Sequence, residues 1–356
     1  MVIAGALIIV LLIFAFIVFF GREQAQGTKI GFVMTGSIEE HGWNGMHYDG
    51  VKAACDKLGA TLLVKENVKE FSGECMEAIR ELAEQGAGMV ILNSYGYSEE
   101  VREFVKEYPN IDFYVNSSEY HDVNMTSYFV RMYQARYLAG IVAGMKTDTG
   151  RVGYVAAMEN DEVNRGINAF SLGVKRVNPD AEVVVNWTGE WDNKEKEKQA
   201  AYELIEENVD VLTYHQNQAN VVEVAEEEGI YSIGYHIPPD NCSDKNLTTV
   251  VCNWSIVYEE IIREFLVGKG NLKDNYWIGL ERDAVGLSEY SAAITGEIEN
   301  EVEKAKQEIL SGWDIFSGEI YDTNGNLRCG EKETISDTIL LEQLDWFVEG
   351  VRFYEK

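Results

Sequence analysis

Basic residues are scarce. The 356-residue chain carries 30 Lys and Arg against 60 Asp and Glu, a formal net charge of −30. Nothing in it clusters Lys and Arg as phosphate neutralisation requires, so the chain is a poor match to nucleic acid and no such partner is expected. The run Lys194–Lys198 alternates with Glu and reads as a solvated helix face. An acidic surface promotes solubility and says little about fold. A P-loop and a nucleophile elbow are both missing. Metal-ligand spacing is missing too: His41 and His47 make no helix pair, His215 and His236 follow separate strand ends, and zinc needs three or four converging ligands. Acidic residues are so abundant that any carboxylate pair is uninformative. The residues therefore support no enzymatic activity and call for no cofactor or metal. The cysteines, Cys55, Cys75, Cys242, Cys252 and Cys329, are odd in number. They read as isolated small apolar residues, with a bridge across the LTTVV run between Cys242 and Cys252 as the alternative.

The length suits two domains, and 46% apolar residues suit a packed globular chain. Met1–Phe20 is continuously apolar, with no charge before Arg22. About 20 apolar residues span a bilayer core as a helix. No basic n-region precedes the segment and no cysteine follows it for lipid attachment, so an uncleaved N-terminal anchor is preferred to a cleaved export signal.

From Lys29 the pattern alternates strands and helices. Strands are expected at Lys29–Met34, Thr61–Lys65, Met89–Leu92, Asp112–Val115 and Tyr128–Val130, with helices at Asn44–Leu58, Gly73–Gln85, Glu99–Lys106 and Met132–Met145. A second series follows a turn at Thr147–Gly150. It has strands at Arg151–Ala156, Glu182–Val185, Val211–Tyr214, Ile230–Ile233 and Thr248–Val251, and helices at Val163–Val177, Lys194–Glu207 and Ala219–Glu228. Beyond these come helices at Ser255–Val267 and Glu297–Leu310, a strand at Asn275–Leu280, a DTNGN turn and a final helix near Leu340–Phe353. Two such series predict an α/β chain of two doubly wound parallel-sheet lobes. The expected crossings lie near 147–150, 251–255 and 278–284. Lobe 1 is then residues 28–148 with 254–280, and lobe 2 is 149–253 with 281–356, after an anchor or signal over 1–27.

Polar-aromatic loops recur at strand ends: Gly36–Asn44, Asn93–Ser98, Asn116–Tyr120, Asn186–Asn193, Tyr214–Gln218 and Gly234–Asp240. Ligands of open parallel sheets bind at that edge. Asn, Gln, His and Tyr offer directional hydrogen bonds to a neutral polar ligand, and Trp offers a flat face. Stacking a base on an aromatic ring contributes about 1–3 kcal/mol. The candidate ligand residues are Trp43, Asn44, Asn93, Tyr95, Asn116, Arg131, Trp191, His215, Asn217, Tyr235 and His236. Each has a structural alternative. The indoles are core aromatics, Asn93 and Asn116 cap helices, Arg131 makes a salt bridge, Tyr95 lines a rim or hinge, and the histidines are satisfied within loops.

The HGWN loop, Asn124–Gly144 (NMTSYFVRMYQARYLAGIVAG), Val152–Asp180 (VGYVAAMENDEVNRGINAFSLGVKRVNPD), WTGEWDN and LEQLDWFVEGV resemble the basic membrane protein family, also called purine-nucleoside-receptor-like. The resemblance runs from Lys29 to the end. It implies a type I periplasmic-binding fold with two lobes on a hinge. It also implies a substrate-binding role outside the cytoplasmic membrane, with an ABC permease and its ATPase as partners. The implied ligand is a purine nucleoside or base between two aromatic rings, at the positions of Trp43 and Trp191. His215, Gln216 and Asn217 stand where nucleoside binders often have small residues, and His236 where aspartate is common. That favours a free base such as adenine over a ribose-bearing ligand. A sensor using the same cleft, a transcription or competence regulator, and an enzyme acting on the same ligand are the alternatives.

Overall fold

The computed structural model describes residues 27–40, 42–118, 120–239, 242–268, 272–273 and 275–355. The apolar segment expected to anchor the chain lies outside the described residues. Among the described residues no helix is long and apolar enough to cross a membrane.

The chain divides into two compact units, residues 1–130 with 253–278 and residues 131–252 with 279–356. In the first, β1 (Lys29–Val33), β2 (Thr61–Lys65), β3 (Ala87–Leu92), β4 (Asp112–Asn116), β5 (Met125–Val130) and β11 (Asn275–Ile278) form one sheet ordered β11-β5-β4-β3-β1-β2. Every pairing in it is parallel. Strands buried on both faces need near-continuous apolar runs, which β1 and β3 supply. Helix α1 (Trp43–Leu58) leaves β1 and ends at Gly59, whose left-handed backbone (φ 80°) donates its N–H to the Cys55 carbonyl at 2.8 Å. It packs on α8 (Trp254–Val267). A Cβ on Gly50 would sit 2.6 Å from the Trp254 Cβ, so the contact needs glycine there.

The second unit carries β6 (Arg151–Ala156), β7 (Glu182–Trp187), β8 (Val211–His215), β9 (Tyr231–Tyr235), β10 (Asn246–Cys252), β12 (Val285–Leu287) and β15 (Val351–Phe353), ordered β12-β10-β9-β8-β6-β7-β15. Only β12 runs antiparallel. Helix α4 (Met132–Lys146) lies on α5 (Asp161–Val177). A Cβ on Gly140 would stand 2.0 Å from the Phe170 carbonyl oxygen, and one on Gly173 would stand 2.1 Å from that of Tyr137. Asn160 caps α5, its side chain accepting from Val163 N at 3.0 Å.

Two expected helices differ. Glu99–Lys106 is a short helix, α3 (Tyr97–Val101), and a separate 3₁₀ turn (Phe104–Glu107). Tyr97, Val101, Phe104 and Val105 are all buried, and the Tyr97 hydroxyl donates to the Val68 carbonyl at 2.6 Å. The final helix is also corrected. Only α10 (Asp337–Glu342) is helical, and Val351–Phe353 is an edge strand paired with Val183–Val185. Gly350, at φ 96°, turns the chain into that strand. Buried amides of α5 take up the intervening backbone: Asn164 donates to the Leu344 carbonyl at 2.9 Å and Asn168 to that of Trp346 at 2.8 Å. The first crossing falls between Val130 and Arg131, where 147–150 was expected, because α4 packs with α5. Among the described residues no disulfide is formed, so the alternative of a bridge between Cys242 and Cys252 is not realised.

Candidate ligand-binding site

In the first unit the loop after β1 brings Trp43 to the start of α1. The indole is half-buried, and its N–H donates to the Asn93 carbonyl, at the end of β3, at 3.0 Å. Its ring lies 4.1 Å from the His47 ring and meets Trp254 edge-on at 5.6 Å. Behind it His47 hydrogen-bonds the Tyr258 hydroxyl, which is 3.0 Å from that of Tyr128. Burial lowers the His47 pKa well below its ordinary value, so the ring is neutral. Asn44 is buried, with its carbonyl accepting from Thr35 and Asn93 and its amide donating to Glu40. Asn93 keeps its side-chain oxygen buried without a partner, and Asn116 its side-chain nitrogen. Tyr95 is 53% exposed, on the rim of the same edge.

In the second unit Trp191 is 37% exposed, on the loop between β7 and α6 (Lys194–Glu206). It meets His215 edge-to-face at 5.9 Å. The Asn217 backbone N–H donates to the Trp191 carbonyl at 3.0 Å, tying the two loops together. His215 ends β8 and Tyr235 ends β9. The Tyr235 hydroxyl lies 3.2 Å from His215 Nε2, and a Glu162 oxygen lies 3.5 Å from that nitrogen. Burial lowers the His215 pKa; contact with Glu162 opposes this and the charge of Arg136 adds to it. His236 follows with a left-handed backbone (φ 69°) and its ring 3.5 Å from that of Tyr235. Arg131 is engaged in a two-pronged ion pair with Asp337 and donates to the Tyr133 hydroxyl at 3.1 Å. It lines a cavity of about 240 Å³ with Gln134, Trp313 and Asp314.

The candidate residues thus stand at the strand ends of the two sheets, with Arg131 directly after β5 and paired with Asp337. Four residues that shape these groups are not among the ligand candidates read from the sequence: His47, weighed there only as a metal ligand, and Trp254, Arg136 and Tyr154. Arg136 did carry a signal. It sits in a mostly apolar helix without acidic residues, with Met132, Tyr133, Ala139 and Gly140 one turn away, none of them able to pair with it. Burial pushes the Cys252 thiol up to about 12, so it offers no thiolate nucleophile near neutral pH. Among the described residues no three His, Cys, Asp or Glu side chains gather as a metal site.

Residues 27–317 match the family model described as ABC transporter substrate-binding protein PnrA-like. A purine-binding protein of Brucella abortus is 30% identical over 331 residues, covering 91% of this chain and 92% of that protein. A putative ABC transporter glucose-binding protein of Haloferax volcanii is 27% identical over 93% of this chain and 82% of its own length. Among solved structures, a transcriptional activator of the comK gene from Bacillus halodurans superposes with a TM-score of 0.72 at 24% identity, over 80% of this chain and 98% of that one. The two lobes have the fold of periplasmic solute-binding proteins. With its two parallel-sheet units and a family match over most of its length, the chain belongs to the PnrA-like family of ABC transporter substrate-binding proteins.

Proposed function

We propose that this substrate-binding protein takes a small planar purine as cargo, a free base such as adenine or a purine nucleoside, and delivers it to an ABC permease and its ATPase. The observation that carries the reading is the pair of strand-edge groups, each setting an indole and an imidazole beside one further polar side chain: Trp43 and His47 with Asn93, and Trp191 and His215 with Tyr235. Indole faces stack a heterocycle, and neutral imidazole and amide groups pair its polar edge. Two stacking contacts and a few hydrogen bonds of roughly 1 kcal/mol each support micromolar binding. The purine-binding relative supports the same class. Residues 1–20 hold the protein at the outer face of the cytoplasmic membrane in this reading, which membrane fractionation of the full-length chain tests.

Native mass spectrometry of the protein as purified, followed by calorimetry with adenine, adenosine and glucose, decides the cargo. A purine adduct and micromolar purine binding are expected. Glucose binding without purine binding overturns the purine assignment and leaves the family role in place. A sensor reading of the same protein is tested by the genome: an adjacent permease and ATPase pair argues against it.

A further inference from the structure

Arg136 stands on the second turn of α4 and is fully buried. None of its three guanidinium nitrogens meets a hydrogen-bond acceptor. Its Cζ lies 4.1 Å from the centroid of the Tyr235 ring and 5.4 Å from that of Tyr154. Attraction to these π faces offsets part of the cost of desolvating the cation, but it leaves the N–H donors unmet. Two more buried polar atoms without partners lie beside it, the Tyr154 hydroxyl and His215 Nδ1. They converge on Gly166 of α5. A Cβ there would lie 3.5 Å from the Tyr154 oxygen, 3.8 Å from His215 Nδ1 and 3.9 Å from the Arg136 Cγ. The other imidazole nitrogen, Nε2, is already engaged by Tyr235 and Glu162. Tyr154, His215 and Tyr235 come from β6, β8 and β9, and the last two are the final residues of their strands. Ligands of open parallel sheets bind at that edge.

We infer that Arg136 forms a recognition subsite for the acceptor edge of the cargo, so that the protein selects 6-oxopurines such as hypoxanthine over adenine. The inference rests on the purine reading above and narrows it. A guanidinium only donates, and it does so as a planar fork suited to two adjacent acceptors. A 6-oxopurine presents O6 and N7 side by side. Adenine presents N7 beside an amino group, which turns a donor toward one arm of the fork. Tyr154 and His215 Nδ1 are placed to pair the neighbouring ring atoms. His215 is neutral, so Nδ1 either donates or accepts according to the tautomer.

Calorimetry with hypoxanthine and adenine, on the wild type and on Arg136→Met, tests this. The wild type is expected to bind hypoxanthine at least roughly tenfold more tightly than adenine, the discrimination of one bidentate pair. In Arg136→Met that ratio is expected to fall below about threefold through loss of hypoxanthine affinity. If both purines bind with adenine equal or tighter, or if the ratio survives in the variant, the Arg136 subsite is overturned while the purine reading stands. If neither purine binds, the purine reading falls and the subsite with it. Arg136→Lys keeps the charge without the fork and is expected to lose the preference as well. It serves if Arg136→Met does not fold, and the wild-type ratio alone remains able to overturn the inference.

Discussion

Trp191 stands edge-to-face on His215, with 5.9 Å between ring centroids and 62° between ring planes. The histidine is buried and neutral while the indole keeps more than a third of its surface open, so His215 props a face that Trp191 can offer to a guest. Trp191→Ala is expected to weaken purine binding tenfold or more, in line with about 1–3 kcal/mol per stacked base. Because the side chain is partly exposed, Tm should move by no more than about 3 °C. Calorimetry and thermal unfolding of the same preparation check both; an unchanged affinity would refute the stacking role.

Two of the buried histidines, His47 and His215, make stability depend on pH. Burial depresses the folded-state pKa of both His47 and His215. Below the ordinary value of about 6.5 the unfolded chain then binds more protons than the folded one. Stability is therefore full above that value and falls as pH drops toward the folded pKa, by up to about 1.4 kcal/mol per pH unit for each group. Thermal unfolding at pH 7.5 and 5.5 should show a lower Tm in acid. His47→Gln should flatten that fall, and an equally steep fall in the variant would remove His47 from the account.

Gly140 packs with no side chain against the Phe170 carbonyl, and the reciprocal glycine, Gly173, faces that of Tyr137. A methyl group at either position meets backbone, which cannot swing aside. Gly140→Ala is expected to destabilise the protein by at least about 1–3 kcal/mol, the usual range for overpacking. Urea unfolding measures it. A half-buried glycine with open space beside it, Gly286 of the edge strand β12, is the control.

Asn168 closes the C-terminal segment onto α5, donating to the Trp346 carbonyl and accepting from Val348 N at 2.9 Å. Asn168→Ala strands two buried backbone groups, each costing about 1–3 kcal/mol. A loss of at least about 2 kcal/mol in chemical denaturation is expected, together with faster amide exchange at Val351–Phe353.

Local patterns in the sequence determined most of the elements. The strand Arg151–Ala156 and the helix ending at Val177 before Asn178-Pro179 follow from runs of apolar residues and from proline's effect on its neighbours, which act within one or two turns of chain. The polar-aromatic loops were legible for the same reason, since each is contiguous. The fate of Val351–Phe353 was decided elsewhere: an apolar LLEQLDWFVEGV run suits a helix as well as a strand, and pairing with Val183–Val185 chose between them. The assignment of α4 to the second unit likewise depended on two glycines, Gly140 and Gly173, meeting across a helix crossing. The convergence of Arg136, Tyr154, His215 and Gly166 lies further still from what a sequence displays. Those residues come from four elements spread over some 80 positions, and only the packing of helices on the sheet brings an unpaired cation to the strand ends. Sequence determines what each segment prefers to be; tertiary structure decides which polar groups are left facing one another, because that depends on contacts no local window contains.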